Sequence, residues 1–411
     1  MAASKKIVIL GGSYGGVSTA HYLLRHAIPH LTKDVYEIVL VSSSSQVLCR
    51  PACPRAMISD EMFDQSKLFV SIAKQFEQYP KDKFTFVHGS VTELDHESRK
   101  VSVKLAKGET EMIAYHALVI ATGASTPSPL LGLSGDASEL QASWAEFRKA
   151  LPAAKRIVIS GGGPAGIEVA GELGEYLNGR PGWFGGKPTN PKVAITVYTA
   201  GSQIVPVLRP SIAKHAEDLL SKVGVNVIKN TRVNSVKAVG GGDTQINSPV
   251  VITLEDGQKV EADLYIAATG TKPNTGFINQ SLLTSDGRVN TNPSTLRVDK
   301  AGAGVYAVGD VSSAARPAVH LILETIPILC ANIKRDLLLD SGAEKDSVGE
   351  DRVFKEDTRE TQMVPIGKSK GVGAAMGYQL PSFLVWLIKG RDYWLWTTGG
   401  LWSGKQWAKE K

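Results

Sequence analysis

The sequence predicts an α/β protein built from two copies of one strand–loop–helix module, followed by a smaller α+β unit. Three observations carry this expectation. A short apolar strand runs into a glycine-rich turn and a helix at Ile7 to Gly16 (IVILGGSYGG), and the same order returns at Ile157 to Gly166 (IVISGGGPAG). Each copy closes on an Ala-Thr-Gly segment, Ala121, Thr122 and Gly123 in the first and Ala268, Thr269 and Gly270 in the second. A Val-Gly-Asp segment, Val308 to Asp310, follows both. One glycine turn can serve packing alone; two in this order predict two Rossmann-like dinucleotide-binding domains in one chain.

The first module reads as strand, loop, helix Val17 to His26 and a second strand Glu37 to Val41. Shorter alternating segments follow at Phe84 to Val87 and Lys100 to Leu105, and a buried strand at Ala117 to Ala121 closes the unit. Ser125 to Gly135 has the proline, serine and glycine content of a linker. The second module repeats the pattern with helix Ile167 to Leu177 and strand Val193 to Tyr198. Between them Gly179 to Lys192 is too punctuated for a helix, and its Trp183 and Phe184 suit either a lid or a surface excursion. Gly240 to Gly242 suits a hairpin loop. Val305 to Val308 is one more apolar strand, so the chain is expected to return to the first domain. The expected boundaries are 1–124 and 271–340 for the first domain, 125–270 for the second, and 341–411 for a C-terminal domain that starts in earnest near Met363.

Composition narrows the classes of function. With 411 residues, 43% of them hydrophobic, the chain can bury real cores, and its net charge of +6 is spread without an arginine-rich block. Nucleic acid is therefore not a favoured partner. Three cysteines are too few for a disulfide framework and point to a reducing compartment. The start, MAASKKIVILGG, reads as a first strand and not as a signal peptide, and Ala2 lacks the glycine that N-myristoylation needs. The apolar run Phe383 to Ile388 falls far short of the ~20 residues that span a bilayer. A cytoplasmic location is expected, with peripheral attachment to a membrane or lipid droplet and a mitochondrial location both left open.

The loops carry the chemistry. In the first, Gly11, Ser13 and Gly16 fill the G-x-G-x-x-G positions, with Gly12 and Gly15 between them. The helix that follows turns free N–H groups and a positive dipole end toward phosphate. The acidic residue that ordinarily ends the second strand is replaced by Ser42 to Ser45. The second loop has glycine at all three positions, Gly161, Gly163 and Gly166, and its next strand ends at Thr199 without an acid or an adjacent arginine, so NADH and NADPH stay open. Glu168, in the first turn of the second helix, either offsets the helix dipole or faces the reacting rings as the catalytic carboxylate. Asp310 lies beyond a strand end, where ligands gather. Cys49 and Cys53 raise a dithiol alternative, although their spacing suits packed thiols better, and Cys330 sits in a core pattern. No metal is expected.

The C-terminal stretch from Trp386 to Lys411 holds Trp386, Trp394, Trp396, Trp402 and Trp407, with Lys389, Arg391, Lys405, Lys409 and Lys411 against Asp392 and Glu410. Such a segment suits a membrane interface or hydrophobic acceptor. An aromatic core or a homodimer face suits it as well.

With these motifs placed, the chain resembles the two-dinucleotide-domain flavoproteins. It is similar above all to the ferroptosis-suppressor and apoptosis-inducing-factor-like NAD(P)H:quinone oxidoreductases, and more loosely to type II NADH dehydrogenases. GGSYGG, PACPRAM, ATG, GGGPAGIEVAGEL, VYAVGDV, PIGKSKGVG and IKGRDYWLW occur in the family's order. The resemblance implies FAD on the first loop, with Arg55 and Val91 as further contacts, Asp310 on the ribityl chain and Glu168 beside the flavin. A family lysine before the last domain has Lys355 as its nearest candidate and is not carried over. The activity implied is transfer of electrons from NADH or NADPH through FAD to a quinone-like acceptor. The alternatives are a disulfide reductase using Cys49 and Cys53, or a redox-sensing protein of cell-death signalling.

Overall fold

The computed structural model describes residues 4–182, 186, 188–239 and 246–411. The segments around Ala2, Trp183 and Phe184, and Gly240 to Gly242 lie outside them. The chain enters on β1 (Lys5–Leu10), turns through the first glycine loop into α1 (Tyr14–His26), and returns as β2 (Tyr36–Ser42) in parallel with β1. Ile7 to Leu10 are wholly buried because both faces of the strand are covered, which is why the run is apolar without alternation. β3 (Phe84–Asp95) runs well beyond the expected Val87. Its far half pairs antiparallel with β4 (Lys100–Leu105), and β5 (Thr110–Ala114) follows. β6 (Ala117–Ile120) then lies beside β1.

The second copy begins with β7 (Arg156–Ser160) and α2 (Pro164–Asn178), then β8 (Ala194–Tyr198) and β9 (Val225–Ile228). A three-stranded antiparallel sheet of β10 (Val233–Ala238), β11 (Val250–Leu254) and β12 (Lys259–Ala262) precedes β13 (Leu264–Ala267). After it β14 (Val305–Ala307) pairs parallel with β6, completing a seven-stranded sheet of order β14-β6-β1-β2-β3-β4-β5. The second sheet has four strands in the order β9-β8-β7-β13. The stretch expected to be a plain linker contributes Ala124 and Ser125 to a two-residue pairing with Lys272 and Pro273, which ties the two crossings between the sheets together.

The repeat extends to the backbone of the loops. Gly11 and Gly161 have φ of +114° and +119°, and an added Cβ would overlap the carbonyl oxygen of Ala121 in one case and Ala268 in the other. The Ala-Thr-Gly segments thus close down on the loops in the same way twice.

After β14, helix α3 (Val319–Asp340) covers the first sheet. β15 (Gln362–Ile366), β16 (Lys370–Ala375) and β17 (Tyr378–Gln379) then form a small antiparallel sheet, followed by α4 (Ser382–Val385) and α5 (Leu395–Trp402). β15 comes so close to α2 that a Cβ on Gly171 would stand 2.8 Å from Ile366 Cα. No helix among the described residues is long and apolar enough to cross a membrane. Gly171→Val is expected to lower stability by about 1–3 kcal/mol through overpacking at this contact. Thermal unfolding followed by tryptophan fluorescence checks it, because the small sheet and the tryptophan-rich segment lose their seat on α2.

Candidate functional site

One cavity of about 1410 Å³ runs between the two modules and under the C-terminal segment. Both glycine loops reach it at the carboxyl ends of their sheets. Along the first module it is lined by Gly11, Gly12, Ser13 and Gly15, by Ser42 and Val91, by Ala121, Thr122 and Gly123, and by Gly309 and Asp310. The second module contributes Gly161, Gly163, Glu168, Thr199 and Gly270. Gly16 and Gly166 stay behind the wall, because each packs against the backbone of the first glycine of its own loop.

The loops suit phosphate for a reason visible in the helices. α1 and α2 both begin without a side-chain cap and without an acidic residue in the first turn. Their N-terminal residues Ser13 to Gly15 and Gly163 to Ala165 line the cavity, so first-turn N–H groups and the positive dipole ends face an open space. A Cβ on Gly163 would project into emptiness, whereas the equivalent Ser13 is exposed on the cavity wall. An anionic diphosphate fits these ends, where a buried, uncapped terminus would otherwise be costly.

The carboxylates are set differently. Asp310 carries its carboxyl 3.7 Å from the Arg50 guanidinium, and burial holds its pKa above the usual carboxylate range against that arginine's pull. Glu168 is 4% exposed and accepts a 2.5 Å hydrogen bond from Lys389 Nζ, itself 7% exposed. Desolvation raises the Glu168 pKa, opposed by Lys389 and assisted by the neighbouring Glu172. Lys389 Nζ also donates to the Met363 carbonyl at 3.0 Å and lies 5.0 Å from the ring centre of Trp394. Lys389, Trp394, Gln362 and Met363 all line the cavity, and Gln362 Oε1 is buried with no hydrogen-bond partner.

Several expectations are corrected here. Arg55 does not reach the cavity: its Nε and Nη2 donate to the two oxygens of the buried Glu172, at 2.9 and 2.8 Å. A carboxylate buried on α2 has captured it, and Arg50, earlier in the same segment, takes the cavity wall and donates to the Ala124 carbonyl. Lys355, which was not carried over as a site residue, is exposed and stands off the cavity, while Lys389 lines it. The signal for Lys389 was present: it stands one helical turn before Tyr393, as Glu168 stands one turn before Glu172, and Tyr393 donates to Glu172 at 2.9 Å. Cys49 and Cys53 are buried, free thiols that do not line the cavity, and desolvation pushes them up to about 11 and about 12. They make no accessible dithiol. The tryptophans divide. Trp402 and Trp407 are buried against Tyr14 and Tyr22, Trp394 is on the cavity, and Trp386 and Trp396 keep apolar surface in solvent.

Residues 5–327 match the family model for the pyridine nucleotide-disulphide oxidoreductases. The chain belongs to that family. It is 64% identical over 411 residues to the oxidoreductase phnG of Penicillium herquei, covering 99% of this chain and 98% of that one. Ferroptosis suppressor protein 1 of Taeniopygia guttata is 25% identical over 409 residues, covering 97% of this chain and 96% of that one. Among solved structures, the sulfide:quinone oxidoreductase of Aquifex aeolicus superposes with a TM-score of 0.70 at 16% identity, covering 98% of this chain and 92% of that one, which speaks for the fold. The protein is an NAD(P)H-dependent flavoprotein oxidoreductase with FAD and NAD(P)H as its cofactors, and the open, uncapped loops suit both dinucleotides.

Two outcomes follow from the geometry. Lys389→Met leaves Glu168 buried without its cation, a change that costs about 3–5 kcal/mol. A raised carboxyl pKa means that the folded state binds the proton more tightly, so the loss is greatest at alkaline pH and shrinks as pH falls through the variant's Glu168 pKa. Thermal unfolding of both proteins across pH 5 to 9 reads it. For the thiols, a disulfide-exchange reagent at pH 8 is expected to react slowly with the folded protein and with all three cysteines only after unfolding.

Proposed function

We propose that the protein takes electrons from NADH or NADPH held on the second module, relays them through FAD held on the first, and delivers them to a quinone-like acceptor beneath the C-terminal segment. The observation that carries this reading is the single cavity lined by both phosphate loops, by the Glu168–Lys389 pair and by Trp394. FAD, when bound, would supply the two-electron relay, for which no side chain among the described cavity residues is suited. The first-module residues already named on the cavity wall would hold it, with Asp310 accepting from a hydroxyl of its chain. Gly161, Gly163, Thr199 and Gly270 would hold the nicotinamide dinucleotide, and Gly166 supports their loop from behind.

Glu168 and Lys389 supply the working pair. Glu168 orients the donor's ring from the second turn of α2, and Lys389 offsets the desolvation of that carboxyl, favouring its charged form. Reduction of a quinone by two electrons takes up two protons, and Lys389 Nζ is a proton-bearing atom on the cavity where the acceptor would sit. Trp394 offers an aromatic face and Gln362 Oε1 an unpaired acceptor for a hydroxyl of the reduced product. The printed name of the structural neighbour from Aquifex aeolicus, a sulfide:quinone oxidoreductase, is in keeping with this class of acceptor.

A hydrophobic acceptor must come from an apolar phase, and the C-terminal unit carries apolar surface for meeting one. Phe383, Trp386, Leu387 and Trp396 are exposed there, which suits peripheral contact with a membrane or lipid droplet.

Flavin-loaded protein reduced anaerobically by NADH or NADPH is expected to lose its flavin absorbance and to recover it on addition of a short-chain benzoquinone. Trp394→Ala is expected to raise the quinone KM about tenfold, more than it slows reduction by the nicotinamide, as fits the loss of about one aromatic contact. Purified protein without flavin absorbance, or reduced protein that no quinone reoxidises, would contradict the reading.

A further inference from the structure

The wall of the cavity around Thr199 bears on which nicotinamide dinucleotide is used. In the Rossmann pattern an acidic residue at the end of the second strand binds the 2′-hydroxyl of NADH, and an arginine there accommodates the 2′-phosphate of NADPH. β8 ends at Tyr198, and Thr199, Ala200 and Gly201 continue it along the cavity with no carboxylate. The nearest loop glycine, Gly162, has no room for a Cβ, which would stand 2.7 Å from Thr199 Oγ1, so this segment abuts the phosphate loop directly.

An arginine reaches the same wall from elsewhere in the sequence. Asn230 N–H donates to the Gly201 carbonyl at 3.0 Å and Thr231 N–H to the Thr199 carbonyl at 2.9 Å, which fastens the end of β9 alongside the end of β8. Arg232 comes next, and it lines the cavity together with Thr231 and Val233. The other strong cations on the wall are already matched, Arg50 to Asp310 and Lys389 to Glu168. Among the described residues the Arg232 guanidinium has no ion pair and no hydrogen bond. Nearby Lys229 is held by Glu217 at 3.0 Å. Among the described residues the only carboxylates lining the cavity, Glu168 and Asp310, are matched by those two cations.

From an unmatched guanidinium beside an acid-free strand end, we infer that Arg232 selects a 2′-phosphorylated adenosine and that NADPH is the preferred donor. The inference rests on the reading that the second module holds the nicotinamide dinucleotide. Arg232 recognises the phosphate by charge-assisted hydrogen bonds, for which its planar fork is suited. A carboxylate at Thr199 would repel the same group.

Calorimetric titration of the flavin-loaded protein with 2′,5′-ADP and with 5′-AMP tests this apart from turnover. The 2′-phosphate is expected to tighten binding about tenfold or more, with the advantage shrinking as salt is raised because Arg232 is exposed. Arg232→Gln is expected to remove that advantage and to lower the NADPH-to-NADH ratio of kcat/KM by about tenfold, and Arg232→Lys to keep part of both. Equal binding of the two adenosine compounds, or an Arg232→Gln ratio unchanged from the parent, overturns the selectivity while reduction by either nucleotide leaves the oxidoreductase reading standing. Failure of both NADH and NADPH to bleach the flavin overturns that reading together with the inference.

Discussion

Two carboxylates on one buried face of α2 set the terms for the rest of the site. Glu168 and Glu172 stand one turn apart, and like charges at that spacing, out of water, would unfold the helix face unless each were paired. Their partners come from distant parts of the chain. Lys389 and Tyr393, one turn apart themselves, answer Glu168 and Glu172 in register, and Arg55 closes the set with a two-pronged bond to Glu172. A helix of the second module, a turn of the first and the C-terminal segment are thereby held by one polar network. Arg55 also donates to the carbonyls of Gly367 and Arg391, so the network reaches the backbone that carries the aromatic wall.

That network accounts for the unusual backbone beside it. Trp386–Gly390 forms a wide π turn, in which the Arg391 N–H reaches back to the Trp386 carbonyl at 2.7 Å. Tyr393 and Trp394 then both take positive φ, 53° and 67°, a conformation that costs a non-glycine residue of order 1–3 kcal/mol. Wide turns and left-handed residues recur where a side chain must be re-aimed. Here they bring Lys389 and Tyr393 down onto α2 while placing Trp394 on the cavity wall.

The modules were legible because their signals are local and doubled. Strand, glycine turn, helix and Ala-Thr-Gly closure follow from spacing alone, and the return strand at Val305 shows in its apolar run. Glu168 and Asp310 were legible as candidates because each lies at a fixed offset from such a motif. Arg55 was misplaced because its destination depends on Glu172, a residue more than a hundred positions away whose burial leaves no mark in the sequence. Arg50 was passed over for the same reason, and Lys389 lay inside a segment read for its tryptophans. The fate of those tryptophans also depended on tertiary packing: Trp402 and Trp407 face α1, a partner that composition does not disclose.

The central claim is that the C-terminal segment belongs to the site through the Glu168–Lys389 pair, and does not merely lie over it. A double-mutant cycle of Glu168→Gln, Lys389→Met and the combined variant, read on both unfolding free energy and the rate of flavin reduction by NADPH, tests this directly. Strong coupling is predicted, with the double variant more stable than the Lys389 single variant and an interaction energy of about 2 kcal/mol or more. Additive effects, within about 0.5 kcal/mol in stability and in activation free energy, would contradict it.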